Sequence, residues 1–524
     1  MDNKKEQERT ELHRTIWSIA NSLRGSVDGW DFKQYVLGIL FYRFISENFT
    51  NYVNKGMHED GEKDFDYTKI KDKLITQDII KNAVEDKGFF IYPSNLFCNV
   101  LDAARKSADK KNNLNDDLKK VFDNIIKSSI GTPSQGDLEG LFDDIDLNSK
   151  KLGNGNNERN KKIFALLEGI NEMNLGDYKS NSIDAFGDAY EYLMTMYASN
   201  AGKSGGEFFT PQEVSILLNK IAISSKKKNL RVYDPACGSG SLLLQSVKLM
   251  GVNAISGLYG QEINITSYNL CRINMFLHDV SYNKFQIACG DTLTDPYFMP
   301  QSEREKFDVI VSNPPYSISW EGSDNQILIN DERYEKAGVL APKSKADFAF
   351  IMHSLFYLSE TGTAAIVCFP GIMYRGGAEA KIREYLIDNN YIDCVILLPS
   401  NLFFGTSIST CIMVLKKNKQ DNKVLFIDAS KEAVKVTNSN KLNPENIDNI
   451  YNLYIERKNK KHISYLASAK DIQEKEYNLS VSSYVEAKDT REKVDIDKLN
   501  KEISEIVARE NVLRKEIDKI IREI

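Results

Sequence analysis

The sequence predicts an α/β fold: a mostly parallel sheet covered by helices, preceded by an α-helical domain and followed by a coiled-coil helix. Three observations carry this. From Arg231 onward, strand-length apolar runs alternate with helical patterns. Before about residue 165 the apolar spacing is helical. Near the end, Ile496, Leu499, Ile503, Ile506, Leu513, Ile517, Ile520 and Ile524 step by three and four, a coiled-coil seam interrupted at Glu510. With 524 residues the chain is too long for one ordinary domain. The division expected is 1–165, 166–480 and 481–524.

In the first part, Leu12, Ile16, Ile19 and Leu23 share a helical face that Gly25 closes. Asp31 is placed to cap a second helix carrying Phe32, Val36, Ile39, Leu40 and Phe44. The next hundred residues are polar but helical, broken by turns such as Gly131-Thr132-Pro133-Ser134. A helix with Ala189, Leu193 and Tyr197 leads to a glycine-rich stretch, then to Glu207-Phe208-Phe209-Thr210-Pro211-Gln212. Thr210 suits a helix cap there and Pro211 a first turn.

The alternating part follows. Strands are expected at 230–233, 256–260, 285–288, 307–312, 363–368, 392–398 and 409–415. Helices are expected at 242–250, 270–277 and 347–358. The last two strands, linked through Gly405, are too close for a crossover and are expected as an antiparallel hairpin at one edge. Ligands of such sheets sit outside the C-terminal strand ends.

Composition excludes several classes. Hydrophobic residues make up 42% and charged residues 27%, ordinary for a soluble protein with a sizeable core. No apolar run approaches the ~18 residues of a membrane span, and the polar Met1–Glu6 is no signal peptide. Seven scattered cysteines without a C-x-x-C pair, and five scattered histidines, argue against a metal site or a disulfide framework. The cysteines are expected as small buried residues, and the location as cytoplasmic. The net charge of −6 predicts weak affinity for nucleic acid unless a partner supplies it. The basic runs 226–228 and 457–462 read as solvated loops.

The chemistry concentrates at Phe307-Asp308-Val309-Ile310-Val311-Ser312-Asn313-Pro314-Pro315-Tyr316. A buried strand there ends in a rigid loop. The Asn313 carboxamide oxygen and the Pro314 carbonyl can accept both hydrogens of a planar NH2 group. Tyr316 can stack on the ring that bears it, with Phe348 or Phe209 as a second aromatic. The loop Asp234-Pro235-Ala236-Cys237-Gly238-Ser239-Gly240-Ser241 opens a helix and lets backbone approach a ligand. It lacks the third glycine of a dinucleotide fingerprint and the lysine of a P-loop. Glu262 ends the second strand, where an acid can take ribose hydroxyls. Asp291 ends the third, where it can accept from an adenine amino group. This ordered set fits an S-adenosylmethionine pocket facing an amine-recognition loop.

Three motifs in this order, Gly206-Glu207-Phe208-Phe209-Thr210-Pro211, Asp234-Pro235-Ala236-Cys237-Gly238-Ser239-Gly240 and Asn313-Pro314-Pro315-Tyr316, resemble the modification (M) subunit of type I restriction–modification systems. The N-terminal 11–17 and 29–36 stretches resemble that family's helical domain, in particular its IC branch. The resemblance implies a Rossmann-like class I S-adenosylmethionine-dependent methyltransferase sheet. It implies transfer of a methyl group to adenine N6 of flipped-out bases in double-stranded DNA. The partners implied are a specificity (S) subunit, with two M per S, and a restriction (R) subunit that makes the complex a nuclease. It places Glu207, Phe208, Phe209, Thr210, Pro211, Gln212, Ser239, Gly240, Ser241 and Glu262 at the cofactor, and Asn313, Pro314, Pro315 and Tyr316 at the flipped adenine. Asp234, Gly238 and Asp291 complete the candidate cofactor site.

The same loop serves methyltransferases of protein glutamine or of guanine N2 in RNA. The Glu207–Pro211 element, the long helical domain and the coiled-coil tail speak against that reading. A non-catalytic scaffold on DNA is opposed by the intact site. About a hundred residues after Leu415 are too few for a domain that reads a long split DNA site, so recognition is expected on another chain.

Overall fold

A computed structural model describes residues 10–16, 29–173, 189, 192–193, 210–224, 228–403, 407–436, 439–486 and 496–523. Ile19, Leu23, Gly25, Gly405, Ile524 and the Glu207-Phe208-Phe209 stretch lie outside them. The chain divides into two compact units, Met1–Val485 and Glu486–Ile524.

In the first unit residues 10–16 are helical, with Leu12 and Ile16 buried, and the longer helices α1 (Gly29–Glu59), α2 (Gln77–Lys87), α3 (Phe97–Lys106), α4 (Leu114–Lys127) and α5 (Asn156–Glu172) follow. Asp31 lies within α1 rather than at its cap, because Gly29 and Trp30 before it are already helical. From Tyr35 to Ile45 nearly every apolar side chain of α1 is buried, so α1 is the central helix of this part. Helix α5 runs past residue 165.

Helix α6 (Gln212–Ile223) leads into the sheet. Its strands are β1 (Leu230–Asp234), β2 (Ile255–Glu262), β3 (Phe285–Cys289), β4 (Phe307–Ser312), β5 (Leu358–Cys368), β6 (Ile392–Leu397), β7 (Cys411–Lys416) and β8 (Lys423–Asp428). A small antiparallel ribbon, β9 (Val434–Val436) with β10 (Ser439–Lys441), stands apart, and β11 (Ser464–Ser468) rejoins the sheet. The order is β11-β8-β6-β7-β5-β4-β1-β2-β3. β1, β2, β3, β4 and β5 are mutually parallel, and β7 runs antiparallel to both its neighbours. The longer helices of this part are α7 (Ser241–Met250), α8 (Ile265–Leu277), α9 (Asp347–Tyr357), α10 (Ala378–Asp388) and α11 (Pro444–Glu456). Val309, Ile310 and Val311 of β4 are fully buried, as a strand covered on both faces must be.

The expected β6–β7 hairpin pairs antiparallel as predicted, but not at an edge. β7 inserts between β5 and β6, and β8 and β11 extend the sheet beyond β6. The reason is visible in β7 itself, whose residues Cys411 to Leu415 are all buried. An edge strand would expose part of that run.

The helical part packs on α8. Phe276 meets Phe41 and Phe89, and Asp144 accepts from Thr266 and Asn269. Five cysteines are buried as expected, whereas Cys98 and Cys289 are exposed. Arg457, expected in a solvated run, instead caps α11 and pairs with buried Asp393 at 2.7 Å. Among the described residues no helix is long and apolar enough to cross a membrane, and no cluster of metal-ligating side chains occurs.

The second unit contains helix α12 (Ile496–Glu523), whose described seam residues, Ile496 to Ile520, are all exposed.

Candidate active site

The ends of β1 to β4 are hydrogen-bonded into one rim. At β1, Asp234 is buried, and its Oδ1 accepts from Ala236 N (3.0 Å) and from Ser312 Oγ (2.8 Å). Ser312 directly precedes Asn313, so this contact ties the two motif loops together. The second oxygen, Oδ2, has no hydrogen-bond partner among the described residues. Burial pushes the Asp234 carboxyl up to about 7; the donors at Ala236 and Ser312 oppose this, and nearby Glu262 adds to it.

The loop after β1 turns through Gly238 (φ 52°) and Gly240 (φ 76°). Gly240 is required twice over. Its conformation is left-handed, and a Cβ there would stand 2.6 Å from Cys271 Sγ on α8. This glycine therefore brings loop and helix together, where the sequence suggested only approach to a ligand. No side chain caps the N-terminus of α7, so its first N–H groups have no side-chain acceptor there. Asn274 Nδ2 donates to the Ser239 carbonyl at 2.8 Å, fixing the outer arm of the loop.

Glu262 closes the rim at β2. Its Oε2 accepts from Gly238 N and its Oε1 from Asn264 N, each at 2.9 Å. Burial raises its carboxyl above the usual range, against those backbone donors. After β3, Asp291 accepts from Leu293 N (2.9 Å) and Thr294 Oγ1 (3.0 Å). Thr292 Oγ1 then donates to the Pro235 carbonyl at 2.6 Å, joining this loop to that of β1.

At β4 the loop is built around Asn313. Its Nδ2 donates to Thr210 Oγ1 (3.1 Å), and its Oδ1 accepts from the Tyr316 hydroxyl (2.6 Å). Pro314 is buried, whereas Asn313, Pro315 and Tyr316 are half-buried. Burial raises the Tyr316 phenol far above its ordinary value, so it stays a neutral donor. Ser317 follows with φ 51°, and its N–H is held by both Asp347 oxygens, at 3.2 and 3.1 Å.

Two expectations are corrected here. Thr210 does not cap α6: Pro211 occupies the N-cap position, and the Thr210 hydroxyl serves Asn313 instead. Phe348 lies on α9 and is fully buried in the core, so it cannot be the second aromatic against a base. Of the other candidates, Pro211 is buried and Gln212 exposed at the start of α6. Two supports went unread in the sequence. Asp347 holds Ser317, although an acid before an apolar helical run signals only a helix start. Buried Arg333 donates to the carbonyls of Thr292 and Leu293 at 2.8 Å each, and no local pattern marks it.

Residues 181–493 match the N-6 DNA Methylase family, and residues 12–170 match the HsdM N-terminal domain. The chain belongs to the N-6 DNA methylases of the type I restriction-enzyme kind. This methylase subunit is 47% identical to the type I restriction enzyme MpnII methylase subunit of Mycoplasma pneumoniae, over 100% of its own length and 98% of the relative's. It is 29% identical to the MjaVII methylase subunit of Methanocaldococcus jannaschii, over 97% and 83%. Among solved structures it resembles the type I restriction-modification system methyltransferase subunit from Streptococcus thermophilus, with TM-score 0.81 and 34% identity, covering 91% of the methylase subunit and 100% of that chain. A chain from a study of type I complex assembly and conformational transition shares the fold, with TM-score 0.63 and 16% identity over 98% and 99% of the two chains.

Proposed function

We propose that this methylase subunit transfers a methyl group from S-adenosylmethionine to N6 of an adenine rotated out of double-stranded DNA. The observation that carries the reading is the rim: four consecutive strand ends, bonded to one another, with the Asn313 carboxamide held at both ends. Asp234, Gly238, Ser239, Gly240, Ser241, Glu262 and Asp291 would hold the cofactor, together with the 207–212 stretch. The residues present fit that group. The orphaned, buried Oδ2 of Asp234 suits an ammonium, and the uncapped α7 N-terminus suits a carboxylate. The cofactor supplies an electrophilic methyl group.

The chain's own part is to hold the amine. The N6 lone pair of adenine is delocalised into the ring, which makes the nitrogen a poor nucleophile. Asn313 Oδ1 and the Pro314 carbonyl, accepting its two hydrogens, draw N6 toward tetrahedral geometry and localise that pair. The same two oxygens stabilise the positive charge that develops on nitrogen. The half-buried Tyr316 ring offsets part of the few kcal/mol lost when a base leaves the stack. Asn313→Ala is expected to abolish methyl transfer while the affinity for S-adenosylmethionine, measured by calorimetric titration, stays nearly intact. Loss of both together would contradict the role.

In this reading the helical part extends through α5 to Glu172, beyond the boundary at 165, and the catalytic part follows to about 480. Site recognition lies on a specificity subunit shared by two methylase subunits, and a restriction subunit can join them. Support comes from the exposed apolar seam of α12 and from the net charge of −6, which leaves DNA affinity to a partner.

A further inference from the structure

Between Tyr316 and α9 the chain makes an excursion whose ends are closed on each other. Ala346 N donates to the Ile318 carbonyl and Trp320 N to the Lys343 carbonyl, each at 2.9 Å. Its turn at 331–334 rests on the loop after β3, where buried Arg333 uses all five of its N–H groups. Nε donates to Asp331, and Nη2 donates to Asp331 Oδ2 (2.7 Å) and to the Leu293 carbonyl (2.8 Å). Nη1 donates to the Thr292 carbonyl (2.8 Å) and meets His353 Nδ1 at 3.0 Å. A guanidinium has no lone pair to offer, so Nδ1 is the acceptor there. Burial, and then the Arg333 charge, hold His353 far below its ordinary value, so the ring is neutral. Its one proton therefore sits on Nε2 and is donated to the Tyr233 hydroxyl at 2.9 Å, which ties the clamp to β1.

One peptide group carries this clamp to the cofactor side of the rim. The group joining Thr292 to Leu293 is planar, with its C=O and N–H pointing in opposite directions. Its carbonyl accepts from Arg333, and its N–H donates to Asp291 Oδ1 at 2.9 Å. Fixing one end aims the other. We infer that Arg333 is a positioning residue for Asp291: it holds that half-buried carboxylate where an adenine amino group meets it, and so sets the preference of the cofactor site for a 6-amino base. The later part of the loop has a separate support. Gln261 donates to the Asp295 carbonyl at 2.8 Å and accepts from Tyr297 N at 3.1 Å. Arg333 thus acts on the turn that carries the carboxylate rather than on the loop as a whole. This inference rests on the proposed place of Asp291 at the cofactor.

The test measures, by calorimetric titration of the full-length chain, binding of S-adenosylhomocysteine and of S-inosylhomocysteine, which has an oxygen in place of the 6-amino group. The wild type is expected to prefer the adenosyl compound by about tenfold or more, the scale of one hydrogen bond to a charged acceptor. Asp291→Ala should bring the ratio to within about twofold of unity. Arg333→Lys keeps a cation beside Asp331 but has three N–H groups, too few for the five bonds. It should lower the ratio by at least about threefold through weaker adenosyl binding, while inosyl binding weakens by no more than about twofold. Added to Asp291→Ala, it should change the ratio no further. Each ratio is taken within one variant, so a loss of folded chain cancels. Should lysine lower the melting temperature, Asp331→Asn with Arg333→Gln removes both charges, leaves neither buried alone, and is read by the same ratio. An unchanged ratio in Arg333→Lys, or equal losses for both compounds, overturns the inference. If the wild type binds the two alike, or Asp291→Ala keeps the preference, the reading of Asp291 fails and the role of Arg333 with it. If Asp291→Ala loses the preference and Arg333→Lys keeps it, only the role of Arg333 fails.

Discussion

Asp234 has one oxygen held by two donors and another with no partner among the described residues. Its carboxyl lies at about 7 because burial disfavours the charge, so the folded chain keeps this proton to higher pH than the unfolded chain does. The contribution to stability is therefore largest at low pH. It falls as pH rises from the ordinary carboxylate range to about 7 and is level above that. A cationic ligand beside Oδ2 would reverse the preference and expel the proton. Relative to Asp234→Asn, wild-type affinity for S-adenosylmethionine should thus rise on going from below to above pH 7, as titration calorimetry at several pH values can show. A constant ratio would remove Asp234 from the site. The sequence marked Asp234, Glu262, Asp291 and Asn313 because each stands where a strand runs out, which a short apolar run makes visible. It could not mark Arg333, nor the pairing of the Thr210 hydroxyl with Asn313. Their partners are distant in the chain, and only the closed fold brings them together.

At the scale of elements, the strands from β1 to β7 were legible because a strand buried on both faces reads as an unbroken apolar run. Their order was less so. The unbroken apolar run Cys411–Leu415 marks a covered strand, but it does not say which strands flank it. β8 and β11 were not expected, although β8 buries an apolar run, Val424 to Ile427, like that of β7. Helix α12 is the opposite case: its seam is plain in sequence and stays exposed in the structure. Glu510 falls within that seam and pairs with Arg514 at 3.8 Å. Ile503→Asp with Ile517→Asp should change the chain's own stability by less than about 0.5 kcal/mol, as exposed substitutions do. Association with the proposed specificity subunit, followed by size-exclusion chromatography, should be lost. A large fall in melting temperature would instead place this face against the chain's own core.

For the whole molecule, the chain joins a helical part and a catalytic sheet through one continuous apolar core, which runs from α1 through α8 to β1, β4 and β5. That core places the helical part on the side of α8, whose other contacts steady the Gly240 loop. The helical character of the first part was readable from spacing alone. Its packing on α8 was not, because Phe41, Phe89 and Phe276 reveal no partner until the chain folds. The most direct measurement is labelled methyl transfer from S-adenosylmethionine to unmodified double-stranded DNA, by this chain alone and then with the proposed specificity subunit. Transfer only in the mixture, recovered as N6-methyladenine, is the expected result. Strong transfer by the chain alone would contradict the division of labour between subunits, and no transfer in either case, with cofactor bound, would contradict DNA as the substrate.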